Sequence, residues 1–86
     1  MTETLQAFSS LARSIVVGGI YEHYKKKRYR ILFLARHSES LEELVIYEAL
    51  YGEGNVWARP AHMFLEEVLV DGVLQPRFHL IGEDEI

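Results

Sequence analysis

The stretch YRILFLARH, residues 29–37, decides the fold. It is rich in β-branched and aromatic residues, and its centre is apolar on both faces. That pattern predicts a central strand covered on both sides, or one that bends around a barrel. Working outward, LVIYEALY (44–51) is a second apolar run, ended by Gly52-Glu53-Gly54-Asn55. Those four residues form a hairpin loop rich in types that tolerate positive φ. Val56–Arg59 reads as a short strand stopped by Pro60. Leu65–Val70 joins Val73–Leu80 through Asp71-Gly72, the strongest short hairpin signal in the chain. Pro76 puts that last strand at a sheet edge or on a bulge. Upstream, Ile20–Tyr24 is short, aromatic and alternating.

Three segments read as helical. Leu5, Phe8, Leu11, Ala12 and Ile15 recur at three- and four-residue spacing and give one apolar stripe. Thr2 is the expected N-cap, Glu3 suits the first turn, and Gly18-Gly19 ends the helix. Ser38–Glu43 carries a capping-box pattern, Ser40 followed three residues later by Glu43, and predicts one helical turn. Pro60–Phe64 predicts another, opening with proline. The connections are too short for parallel crossovers, so the strands pair antiparallel. The expected fold is mostly β: a small SH3-like antiparallel barrel of five or six strands with an N-terminal helix. The alternative is an α+β open antiparallel sheet with the helix packed on one face.

The chain has 86 residues, 49% of them hydrophobic and 26% charged. That is one globular domain, which excludes a disordered tail, a collagen-like repeat and a coiled coil. It divides into a helical extension over 1–17, a β domain over 18–81 and an acidic tail over 82–86. There is no cysteine, hence no disulfide, thiolate zinc site or cysteine nucleophile. The longest apolar stretch, Ile15–Tyr21, is far short of the about 20 residues that span a membrane. The N-terminus has no basic region before an apolar stretch, so a secretory signal is not expected. The reading is a cytoplasmic protein with no membrane partner.

Net charge is −4 but unevenly spread. Residues 1–36 hold seven Lys/Arg against Glu3 and Glu22; residues 37–86 hold Arg59 and Arg77 against eleven acids. Such asymmetry either marks a polyanion-binding edge or cancels across the fold. Its densest point is Lys25-Lys26-Lys27-Arg28-Tyr29-Arg30, in the turn between the first two strands and beside Tyr21, His23 and Tyr24. Lysines on phosphates with rings on bases is one way small β domains hold nucleic acid. The plain reading is a charged hairpin that keeps a sheet edge soluble.

Other polar groups carry weaker signals of chemistry. His37 with Ser38 or Glu42 suggests a small hydrolase, but adjacent strand residues point to opposite faces and no glycine elbow surrounds Ser38. The four histidines, His23, His37, His62 and His79, lack ligand-pair spacing, so no metal is indicated. Gly52-Glu53-Gly54 lacks the helix of a phosphate loop, so no nucleotide cofactor is indicated. Tyr47, Tyr51 and Trp57, with Arg59 close, form either an aromatic groove for a peptide or cation or part of the core. Arg59 and Arg77, alone in the acidic half, hold an internal carboxylate or anchor a partner.

Together, Tyr21, His23-Tyr24-Lys25, Tyr29, Ala35-Arg36-His37-Ser38-Glu39, Glu42, Tyr47, Leu50-Tyr51-Gly52, Trp57, Arg59-Pro60, Met63-Phe64 and Pro76-Arg77-Phe78 form an ordered series. From Tyr21 to Phe78 the chain resembles a family of short bacterial proteins classed as a domain of unknown function. The resemblance carries no activity with it. Family members commonly place a glycine soon after the lysine of the HYK motif, where this chain has Lys26 and Lys27. The reading that results is a non-catalytic binding or adaptor module. Its expected contact residues are Tyr24, Lys25, Arg28, His37, Ser38, Tyr51, Trp57, Arg59 and Arg77. No cofactor is implied, the partner is nucleic acid or protein, and the N-terminal helix offers a homodimer surface.

Overall fold

The computed structural model describes residues 7–83. Its elements in chain order are α1 (Ser10–Arg13), β1 (Gly19–His23), β2 (Arg28–Arg36), β3 (Glu43–Ala49), β4 (Val56–Pro60), α2 (Ala61–Phe64), β5 (Glu67–Val70), β6 (Val73–Pro76) and β7 (Phe78–Glu83). Five strands form one antiparallel sheet in the order β4-β3-β2-β1-β7, and β5 and β6 form a separate hairpin. The fold is therefore mostly β and antiparallel, as the hairpin signals imply. The expected barrel is not found: β4 and β7 stand at opposite ends of the strand order and do not pair among the described residues. The arrangement is an open sheet.

One face of that sheet is covered. Alternation along β3 buries Val45, Tyr47 and Ala49, and neighbouring strands add Tyr21 and Ile31 to the same side. Ala12, Ile15, Ala61, Phe64 and Phe78 complete the core. Phe64 and Phe78 stack with ring centres 4.2 Å apart, and Tyr21 and Tyr47 meet Phe64 edge-on. The apolar centre of β2 is not covered on both sides. The ladder shifts register between Ile31 and Phe33, and Phe33 is exposed on the open face. A bulge, not a second layer, accounts for the apolar run.

The N-terminal helix is a single turn. Thr2, Glu3 and Leu5 lie outside the described residues. Ser9, not Thr2, is the N-cap of α1: its hydroxyl accepts from the Ala12 N–H at 3.1 Å. Phe8 therefore precedes the helix. Glu43 completes the cap, accepting from the Ser9 N–H at 2.6 Å and the Ser9 hydroxyl at 2.8 Å. These bonds, the backbone one first, and the nearby Arg36 cation hold its carboxyl below the usual range. Gly18 (φ +88°) comes after the helix and launches β1.

The expected turn at Ser38–Glu43 is not helical. Residues 38–40 form a turn closed by the His37 N–H to the Glu42 carbonyl and the Leu41 N–H to the His37 carbonyl, both 2.8 Å. Ser40 Oγ accepts from the Glu42 N–H, and Glu43 has moved to the first position of β3. The last predicted strand is two. Pro76 ends β6, Arg77 stands between, and β7 crosses to pair with β1. A proline cannot donate to a ladder, so the chain changes sheets there. Asp71 (φ +52°) and Gly72 (φ +78°) make the β5–β6 turn that their types predict.

Candidate ligand cleft

The ends of β2 carry the two polar clusters. At one end, the turn from β1 to β2 follows the pattern of a three-residue hairpin loop. The Lys26 N–H bonds to the His23 carbonyl, the His23 N–H bonds to the Lys27 carbonyl, and Lys26 takes φ +74°. This is the position at which glycine fits without strain. The turn raises Lys25, Lys26 and Lys27 into solvent, with no carboxylate partner among the described residues. The Lys25 ammonium lies 5.8 Å from the Tyr24 ring centre, and Lys27 lies 4.6 Å from that of Tyr51.

Beside that turn the sheet's covered face ends in a cavity of about 210 Å³ lined by Tyr29, Tyr47, Trp57 and Arg59. Strand register produces it. Tyr47 on β3 stands directly opposite Trp57 on β4, Arg59 is two residues further along the same face, and Tyr29 on β2 faces Ala49. Tyr47 is core at 4% exposure, whereas Trp57 is 50% exposed. Of these rings, Tyr47 is therefore core, while Trp57 stands at the surface. Tyr51 lies beyond the end of β3, and its hydroxyl shares a 2.6 Å hydrogen bond with that of Tyr29. Burial, then this bond, pushes the Tyr29 phenol well above its ordinary value, so it stays protonated.

Arg59 is fixed from two sides. Its Nε–H donates to the Tyr47 hydroxyl at 3.1 Å, and its guanidinium carbon lies 5.6 Å from the Phe78 ring centre. It has no carboxylate partner among the described residues. The field around it is positive. The His23 imidazole is held below 6.5, first by burial and then by the cations of Arg77, Arg59 and Lys25. The Nδ1 of His23 accepts from the Lys25 N–H at 3.1 Å, which fixes the neutral ring.

The other expected contact residues are placed differently. Arg28 is paired with Glu22 at 3.3 Å, and Arg30 pairs with Glu48 at 3.1 Å, on the open face. The second pair joins the basic and acidic halves, so part of the charge asymmetry cancels within the fold. Arg77 holds an internal carboxylate: it bonds Glu66 at 3.0 Å, while its backbone accepts from the Tyr24 N–H and donates to the Glu66 carbonyl. It is a brace between the sheet and the β5–β6 hairpin.

His37 and Ser38 lie at the far end of β2, roughly 25–30 Å from the basic turn at about 3.3 Å per residue. His37 Nδ1 accepts from the Glu39 and Ser40 N–H groups at 3.1 and 3.2 Å. Among the described residues it makes no hydrogen bond to the Ser38 hydroxyl or the Glu42 carboxylate. Its Nδ1 is held by backbone and no hydrogen bond among the described residues turns the ring on Ser38, so the geometry gives the hydrolase reading no support. Tyr24, Lys25, Tyr51, Trp57 and Arg59 thus share one end of the molecule, and His37 and Ser38 do not join them. Tyr29 and Lys27, absent from the expected contacts, belong with the cleft. Alternation could have found Tyr29, because it shares a sheet face with Ile31. Among the described residues no cluster of His, Asp and Glu suits a metal, and no helix is long and apolar enough to cross a membrane.

No curated protein matches the chain. Among solved structures, a protein of the DUF1653 family from Bordetella bronchiseptica is 34% identical, covering 80% of this chain and 91% of that one with a TM-score of 0.72. The model of the same family, described as a protein of unknown function, matches residues 19–80, which run from the first residue of β1 into β7 and include every residue of the cleft. The chain belongs to the DUF1653 family.

Proposed function

We infer that the domain is a non-catalytic binding module that holds an anionic group against aromatic rings in the Tyr29–Tyr47–Trp57–Arg59 cleft. One observation carries this reading: Arg59 is pre-oriented by Tyr47 and Phe78 at the wall of a cavity, yet no carboxylate among the described residues neutralises it. A fixed guanidinium with its outer N–H groups available is suited to bidentate contact with a carboxylate or phosphate. Trp57 supplies exposed ring area beside it, and Lys27 on Tyr51 adds charge at the rim.

The lysine turn supports a nucleic-acid version of this reading, because Lys25–Lys27 project from the same end of the sheet. The test is a titration of the isotope-labelled protein with acetate, inorganic phosphate and a short single-stranded oligonucleotide. Saturable shifts of the Arg59 Nε–H and the Trp57 indole N–H are expected, and they are lost in Arg59→Gln. A steep salt dependence seen only with the oligonucleotide assigns the lysines to its backbone. Shifts absent from both reporters, or unchanged in Arg59→Gln, overturn the reading.

A further inference from the structure

We propose that β4 is a docking edge for an extended acidic peptide, whose backbone extends the sheet and whose carboxylate is held by Arg59. The proposal rests on the cleft reading above and names the class of partner. Strand β4 is the last in the sheet order and, among the described residues, pairs only with β3. The hydrogen bond from the Ala49 N–H to the Asn55 carbonyl sets the phase of the β3–β4 ladder. With the observed register, Trp57 and Arg59 turn their backbone groups inward to Tyr47 and Val45. Val56 and Ala58 therefore turn theirs outward, where no strand meets them. Pro60 is also in the outward phase, which is why a proline is tolerated at that position. Val56, Trp57 and Ala58 are all exposed, so the edge is uncovered among the described residues.

Sheet edges are hazards that proteins blunt with charge, proline, bulges or a covering segment. Pro60 blunts this one only at its end: from Val56 to Ala58 the edge carries no charge, proline or bulge, and Arg59 leans inward to Tyr47. An added strand would exchange backbone bonds with Val56 and Ala58. Its residue between those two contacts lies opposite Trp57, on the face that holds Arg59. An acidic side chain there meets an aromatic surface and a cation with no carboxylate partner among the described residues. Backbone pairing gives affinity and the alternate side chain gives selectivity, which is the logic of strand addition. A second copy's β4 is the poorer occupant, because VWARP brings no carboxylate to Arg59.

The test uses the whole labelled chain and four probes: the capped peptide Ac-Thr-Val-Glu-Val-Thr-NH2, its Glu→Gln form, its form N-methylated at both valines, and sodium acetate. The acidic peptide is expected to slow exchange of the Val56 and Ala58 amides and to shift the Arg59 Nε–H. The Glu→Gln peptide is expected to bind roughly ten- to a hundredfold more weakly, the loss typical of one charge-assisted contact. The N-methylated peptide, which leaves the protein untouched, should lose binding to a similar extent. Ala58→Pro, which removes only an outward N–H, should weaken the acidic peptide too.

Several results overturn the proposal. If acetate shifts Arg59 and the peptide binds no better, or N-methylation costs nothing, strand addition is wrong while the cleft reading stands. If the peptide binds Arg59→Gln as well as the parent protein, the proposal and the cleft reading fall together. Protection of Val56 and Ala58 that rises with protein concentration and without peptide assigns the edge to a second copy.

Discussion

The two ends of β2 both present histidine, backbone turns and charged side chains, yet they spend them differently. At the 37–42 end the histidine and one hydroxyl are consumed by local backbone. His37 Nδ1 satisfies two amides, Ser40 Oγ a third, and Glu43 ties down the cap of α1. At the 24–29 end, three lysines and Arg59 have no acid partner among the described residues, and rings line the space between strands. A cluster that looks catalytic in sequence is a closed turn, and a hairpin that looks merely soluble borders a cleft. The two arginines of the acidic half divide in the same way. Arg77 is paired with Glu66 through one terminal nitrogen and braces the fold, while Arg59 is positioned with no carboxylate to neutralise it among the described residues.

The contrast can be broken at its foundation. Phe78 is buried, stacks on Phe64 and lies beneath Arg59. Phe78→Ala should cost about 3–5 kcal/mol in urea unfolding and loosen the cleft end first. Next in size is Arg59→Gln, which should weaken binding of the acidic probe roughly ten- to a hundredfold with little change in stability. Arg77→Gln should do the reverse, lowering stability by up to about 1 kcal/mol while leaving the Arg59 Nε–H shifts intact. If both variants affect binding alike, the division of labour between the arginines is wrong.

His37→Ala tests the closed end. Two amides lose their acceptor, so stability should fall by about 1 kcal/mol with no change in the cleft. Lys26→Gly should raise stability by roughly 0.5–1 kcal/mol, because a residue at φ +74° gives way to one that adopts it freely. The smallest change is expected from pH. His23 titrates below 6.5 in the folded protein, so the unfolded chain takes up its proton first as pH falls. The contribution is complete above about 6.5, declines as pH drops through 6.5 towards the folded value, and is flat below it. Unfolding curves of His23→Gln should lack that part of the slope.

The strands were legible because their signals are local. Alternation and turn residues placed β1 to β5 within a residue or two, and Asp71-Gly72 marked its hairpin. The choice between barrel and open sheet was not legible, and the open sheet stood only as the alternative, since closure depends on whether β4 meets β7 and nothing in either segment reports a pairing it does not make. The N-terminal helix was overread: spacing saw a stripe through Phe8, while the hydroxyl of Ser9 starts the helix after it. The capping-box residues Ser40 and Glu43 were real acceptors, but each serves a different partner from the one spacing implied. The cleft was half legible. Trp57, Arg59 and Tyr51 stand close in sequence, but Tyr29 and Lys27 join them only through pairing of β2 with β3. The separate fates of Arg59 and Arg77 depend on Glu66, which no local pattern links to either.

The Arg77 brace also bears on how the fold can be edited. The Glu66 carbonyl and the Arg77 N–H lie 2.9 Å apart, so the chain leaves the body and returns at a single hydrogen bond. Everything between, residues 67–76, is a detour whose Leu69 and Leu74 are 68% and 64% exposed. A two-stranded ribbon of this kind has little stability of its own. It is a cassette in the connection between α2 and β7, and a tight turn in its place would leave the five-stranded sheet intact.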